Sequence, residues 1–255
     1  MSAAPGRITA GTGWLWLKQG LSLFRQQPAA LTTILFANVL FALMLHGIPY
    51  LGQFIAVLLI PSLSMAVMQA CRLIDNKQRV TMPVLLTGFQ KPLVYTLCKI
   101  GVAYLVVLEL FALPGQFLLR DAVSSGAVKT SADLDGGTLF ILMISGLLQI
   151  FAGVALLFAA PLAAWQNMPA GKALFYSFFA VWRSARVFVV MLLAWFGLIM
   201  GISIIPSALL GQTMLGVVVM AWIGFVFVLL LQCAMYASYR QIFGVPELPS
   251  RPRID

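Results

Sequence analysis

The chain has 255 residues, 62% of them apolar and 9% charged, with a mean hydropathy of +1.00. A soluble domain carries about a quarter charged residues, so the composition excludes a soluble enzyme, a disordered chain and a nucleic-acid-binding module. It leaves an integral membrane protein, whose net charge of +9 has to come from loops, where cytoplasmic segments concentrate Lys and Arg.

Six apolar runs cover 29–45, 51–71, 92–113, 138–165, 187–205 and 214 to about 239. Each is long enough to cross a hydrocarbon core about 30 Å thick. Inside lipid every backbone N–H and C=O needs an internal partner, so runs of this length predict helices. The turn His46-Gly-Ile-Pro49 joins the first two runs. The third is expected to stop at Pro114-Gly115 and the fifth at Pro206, because proline removes a helical hydrogen bond.

Loop cations set the expected orientation. Arg7, Lys18 and Arg25 precede the first span, and Arg72, Lys77, Arg79 and Lys91 lie between the second and third. Lys172, Arg183 and Arg186 lie between the fourth and fifth, and Arg240, Arg251 and Arg253 follow the sixth. The opposite side holds only Arg120 and Lys129, in a loop with Asp121, Asp133 and Asp135. The bias predicts a multi-pass protein of the bacterial inner membrane with both termini cytoplasmic and residues 115–137 outside.

The segments ahead of the odd-numbered spans look alike. Trp14, Leu17, Leu21 and Phe24 recur at helical spacing beside Lys18 and Arg25; Met82, Leu85, Leu86 and Phe89 do so before Lys91; Phe175, Phe178 and Trp182 do so before Arg183 and Arg186. A short one-sided apolar face ending in an aromatic beside a cation suits a helix lying in the headgroup layer. The expected fold is therefore all-α: six transmembrane helices as three parallel hairpin repeats, each preceded by a short interfacial amphipathic helix. One domain would fill 1–255, with repeats at about 13–72, 80–166 and 170–240 and a short cytoplasmic tail at 241–255. The second and fourth spans carry Pro61 and Pro161, each followed by polar residues, and Gln232 lies comparably in the sixth. Matching broken helices point to a shared cavity, although kinks resatisfied by neighbours need none.

The Gly13-Trp14-Leu15-Trp16 stretch, the Phe24-Arg25 corner, its Trp182-Arg183 counterpart and the Tyr236-Ala-Ser-Tyr239-Arg240 exit carry a family resemblance. The chain resembles uncharacterised proteobacterial six-span inner-membrane proteins related to the membrane domain fused to some glycerophosphodiester phosphodiesterases. That likeness implies a six-helix membrane fold and lends no phosphodiesterase chemistry, which would reside in a separate soluble domain.

Hydrolysis needs paired carboxylates, a metal site or an activated nucleophile, and seven carboxylate side chains with one histidine offer no such constellation. Asp133 and Asp135 read as a solvated turn and His46 as a polar helix end. Cys71, Cys98 and Cys233 lack metal or redox spacing. Trp14, Trp16, Trp165 and Trp182 read as interfacial anchors, and Gly197 and Gly201 form a G-x-x-x-G expected to pack within the chain rather than against a second copy. Lys99 and Glu109 fall inside the third span, where a charge by default marks an interior path. A Lys stem that reaches headgroups explains the first as well. With them, Asn38, Pro61, Pro161 and Gln232 are the cavity candidates, and Arg25, Lys91, Arg183 and Arg186 the candidates for anionic lipid. The reading is a non-enzymatic inner-membrane protein, without cofactor or nucleic-acid partner, that binds anionic headgroups or another membrane protein. The alternative is a small transporter or lipid-handling permease with a cytoplasm-facing cavity between the even-numbered helices.

Overall fold

The computed structural model describes residues 11–49, 51–124, 135–211 and 213–246. All regular secondary structure among the described residues is helical, without a strand: α1 (Thr12–Gln26), α2 (Pro28–His46), α3 (Gly52–Asp75), a 3₁₀ segment (Met82–Phe89), α4 (Leu93–Ser124), α5 (Gly136–Leu156), α6 (Ala159–Trp165), α7 (Ala170–Arg183), α8 (Ala185–Leu210) and α9 (Met214–Phe243). Six stretches are long and apolar enough to cross a membrane, namely Pro28–His46, Gly52–Asp75, Leu93–Arg120, Gly136–Trp165, Ala185–Leu210 and Met214–Phe243.

Proline stops fewer helices than expected. α4 continues through Pro114 and α8 through Pro206, and α3 runs unbroken through Pro61, which lies inside its expected span. An interior proline costs one backbone bond and crowds the preceding turn, and a membrane helix accommodates this where nearby groups take over. Pro161 differs: the fourth span breaks at Leu157 and Phe158, in the turn its ring crowds, and restarts as α6. Ser177 of α7 fills the break. Its buried hydroxyl accepts from the Phe158 N–H at 3.1 Å and donates to the Ala155 carbonyl at 2.6 Å.

The spans pair as hairpins, α2 with α3, α4 with α5 and α8 with α9. The 3₁₀ segment packs on α3, α7 on α5 and α6, and α1 on α9 and α8. The buried faces of these three segments are not the apolar stripes read from the sequence. α1 buries Gly13, Trp16, Gly20 and Leu23 and leaves Trp14 and Leu15 exposed. Trp16 is therefore a core residue and not an interfacial anchor. The middle segment coils as 3₁₀ rather than α, buries Val84 and Gly88, and leaves Met82 and Leu86 outward. α7 buries Ala173, Ser177 and Val181 and exposes Phe175, Phe178, Phe179 and Trp182. Lipid is as apolar as a leucine side chain, so large apolar groups gain little by turning inward, and small residues that let backbones approach make the contacts. A β-carbon at Gly20 would lie 2.6 Å from the Ala234 backbone nitrogen, and one at Gly88 would overlap the Ser62 carbonyl. Gly197 and Gly201, by contrast, have nothing within 4 Å of a β-carbon among the described residues.

Burial is uneven. The core gathers the ends of α3 and α9, all of α6, α1 and the start of α8. Beyond Met191 no residue of α8 is buried.

Candidate functional site

The last turns of α3, α6 and α9 converge, and their polar side chains form the densest network among the described residues. On α3, Gln69, Arg72 and Asp75 follow at helical spacing. Gln69 Oε1 accepts from Trp165 Nε1 at 3.0 Å and from Arg72 Nη1 at 3.4 Å. Arg72, 5% exposed as a residue, lays its guanidinium over the Trp165 ring with Cζ 5.4 Å from the centroid, a cation–π contact. Asp75 accepts from Tyr236 Oη at 3.0 Å and pairs with Arg240. Tyr236, Tyr239 and Arg240 stand at i, i+3 and i+4 on α9, so the Tyr-x-x-Tyr-Arg spacing presents all three to α3 and α6. Gln166 donates to Tyr239 Oη at 3.3 Å.

Aromatic rings close the space beneath. Trp165 meets Tyr239 and Tyr236 with centroids 4.8 and 6.1 Å apart, and Phe158 meets Tyr239, Phe188 and Phe243 at 5.6 to 6.0 Å. Trp16 donates to Gln241 and leans on Phe188 at 5.2 Å, tying α1 to the same cluster. A shallow groove of about 240 Å³ runs between Trp165, Gln166, Tyr239 and Phe243 and the backbone of 244–246. Cys71 and Cys233 lie buried with sulfurs 3.5 Å apart. No group of three His, Cys, Asp or Glu converges among the described residues.

The cavity candidates do not assemble. Lys99 is exposed on α4 and Glu109 half-buried on the same helix. Asn38 donates to the Leu63 carbonyl at 2.9 Å and ties α2 to α3 next to Pro61. Pro61 and Pro161 are buried. The Gln232 Oε1 is buried with no hydrogen-bond partner among the described residues. Arg25, Lys91, Arg183 and Arg186 are all exposed. His46 donates Nδ1–H to the Ala42 carbonyl at 2.8 Å. Asp133 lies outside the described residues, and Asp135 caps α5, accepting from the N–H groups of Gly137 and Thr138 at 3.0 and 3.2 Å. Hydrogen bonds from Thr138, through side chain and backbone, and from Gly137 hold its carboxyl below the usual range.

Sequence reasoning singled out neither Asp75 nor Arg72. The signal for the first was present: Asp75 is the lone carboxylate in a connection holding four cations.

No family model and no solved structure matches the chain. A protein of Burkholderia thailandensis, named a "probable inner membrane protein", is 33% identical over 260 residues that cover 97% of this chain and 96% of the relative. With likeness across the full length of both chains and six apolar helices to match that name, the chain belongs to that relative's family of multi-pass inner-membrane proteins.

Proposed function

We propose that the protein is a non-enzymatic inner-membrane protein that holds anionic lipid, or a partner membrane protein, at its cytoplasmic side. The carrying observation is the exposure of Arg25, Lys91, Arg183 and Arg186, each within four residues of an aromatic at the junction between a lead-in segment and a span. Each surface cation attracts an anionic leaflet by about 1 kcal/mol. In this reading the chain is one domain of three parallel units with both termini cytoplasmic. It keeps its likeness to the membrane domain of glycerophosphodiester phosphodiesterases without their chemistry. The cyclic packing supports the three units: the 3₁₀ segment and α7 sit on the preceding hairpin, and α1 closes the circle on α8 and α9.

The permease alternative needs space between α3, α6 and α9. Phe158, Trp165, Tyr236 and Tyr239 fill that region and Lys99 faces outward, which weighs toward a scaffold.

Native mass spectrometry of protein extracted with its lipids tests the proposal. Replacing the four cations with Gln is expected to reduce bound phosphatidylglycerol and cardiolipin several-fold at an unchanged melting temperature, since exposed charges add little to packing. Unchanged retention rejects the lipid reading.

A further inference from the structure

Cys71 lies one turn before Asp75 on α3, and Cys233 lies shortly before Tyr236 on α9. Both thiols are fully buried, and the Cys71 S–H donates to the Cys233 sulfur at 3.5 Å. The two residues are 162 apart in sequence, and helices rather than loops bring them together. The same seam is latched by the Asp75–Arg240 ion pair and the Tyr236–Asp75 hydrogen bond, which hold the sulfurs facing one another. A disulfide requires the sulfurs to close by about 1.5 Å, to a bond of about 2.05 Å.

We propose that Cys71 and Cys233 are a redox-modification site, which a two-electron oxidant of the peroxide class converts into a disulfide clasping α3 to α9. One thiol gives up its proton as its sulfur attacks a peroxide oxygen; the O–O bond breaks, leaving a sulfenic acid and water. The second thiol attacks the sulfenic sulfur, the S–S bond forms, the S–O bond breaks, and its proton leaves with the departing hydroxide as water. In sum two thiols and one hydrogen peroxide give one disulfide and two waters, the sulfurs losing the two electrons that the peroxide gains. Hydrogen peroxide is small and uncharged, which suits a fully buried pair, and because burial disfavours the nucleophilic thiolate the reaction is slow. A metal is the weaker reading, because no third His, Cys, Asp or Glu joins the pair among the described residues.

The test uses the full chain in lipid nanodiscs, treated with hydrogen peroxide, then denatured and alkylated with N-ethylmaleimide. Oxidised protein is expected to carry two alkyl groups fewer than reduced protein, with Cys98 still alkylated and one linked peptide containing Cys71 and Cys233. Cys71→Ser and Cys233→Ser are each expected to abolish the link. The oxidised chain is expected to melt several degrees above the reduced one, reversibly with dithiothreitol. Full alkylation after treatment, sulfinic or sulfonic acid at these positions, a link through Cys98, or a lower melting temperature on oxidation each overturns the clasp. The mass measurement on the unsubstituted chain stands even if a serine variant does not fold.

Discussion

Gly20 and Gly197 are the same residue type in two helices, and only at the first would a β-carbon meet a neighbouring helix. Gly20 lets α1 approach the Ala234 backbone, whereas Gly197 faces open space. Gly20→Val is therefore expected to push α1 off α9 and lower stability by about 1–3 kcal/mol, the usual range for overpacking. Gly197→Ala is expected to be neutral or slightly stabilising, because alanine is the better helix former by about 1 kcal/mol. Thermal unfolding of both variants in the same lipid decides the pair, and equal losses would contradict the packing. The sequence offered no way to separate these glycines, or to see that Trp16 is buried while Trp14 is exposed. In a chain where lipid and core are both apolar, hydropathy does not mark the inward face. At Asp75 and Arg240 the pair is partly exposed, 17% and 30% by side chain. A double-mutant cycle with Asp75→Asn and Arg240→Gln is expected to give a coupling of about 1 kcal/mol or less, since solvent screens such pairs. A coupling near zero would leave the α3–α9 seam to the aromatic rings and Tyr236.

Proline shows the same ambiguity one level up. The six spans were legible from length and hydropathy alone, and their order and approximate bounds stand. What the sequence did not reveal is that helices pass through Pro114 and Pro206, and that of Pro61 and Pro161 only the second sits beside a break. The break is met by a hydroxyl from α7, nineteen positions further along the chain, and no local pattern reports a partner at that distance. Ser177→Ala is expected to leave the Phe158 N–H and the Ala155 carbonyl unpaired in a buried setting and to cost about 1–3 kcal/mol. Ser177→Thr keeps the hydroxyl and is expected to retain part of that stability. If alanine and serine melt alike, the hydroxyl does not support the broken span. The middle lead-in segment carries a related lesson. Its Met82, Leu85, Leu86 and Phe89 spacing suits an α-helix, yet it coils as 3₁₀, where Gly88 must fit against the Ser62 carbonyl.

For the whole molecule, one bias in the sequence and one side chain in the fold bear on what the protein does. Loop cations outnumber those on the opposite side thirteen to two, so a cysteine introduced at Ser125, outside the described residues, is expected to react with an impermeant thiol reagent in cells with a permeabilised outer membrane. Labelling only after lysis would reverse the orientation and remove the anionic leaflet from the proposed lipid contacts. Lys99 bears on the choice between scaffold and permease. It is the cation that loop bias does not account for, and it faces outward from α4 rather than into the aromatic junction of α3, α6 and α9. An outward lysine with an ammonium that reaches headgroups is replaceable by arginine, whose stem is as long and whose charge is fixed. Lys99→Arg is therefore expected to melt like the unsubstituted chain and to keep its bound anionic lipid. Lys99→Met is expected to fold as well, because the position is already exposed, and to lose at most a small share of that lipid. A lysine lining a substrate path behaves otherwise: both replacements would alter its size or charge at the point of contact and abolish uptake while stability held. Measuring melting temperature, retained lipid and the phenotype of the deleted gene on the two variants separates the cases. Loss of the phenotype with arginine at full stability would shift the assignment from scaffold to permease.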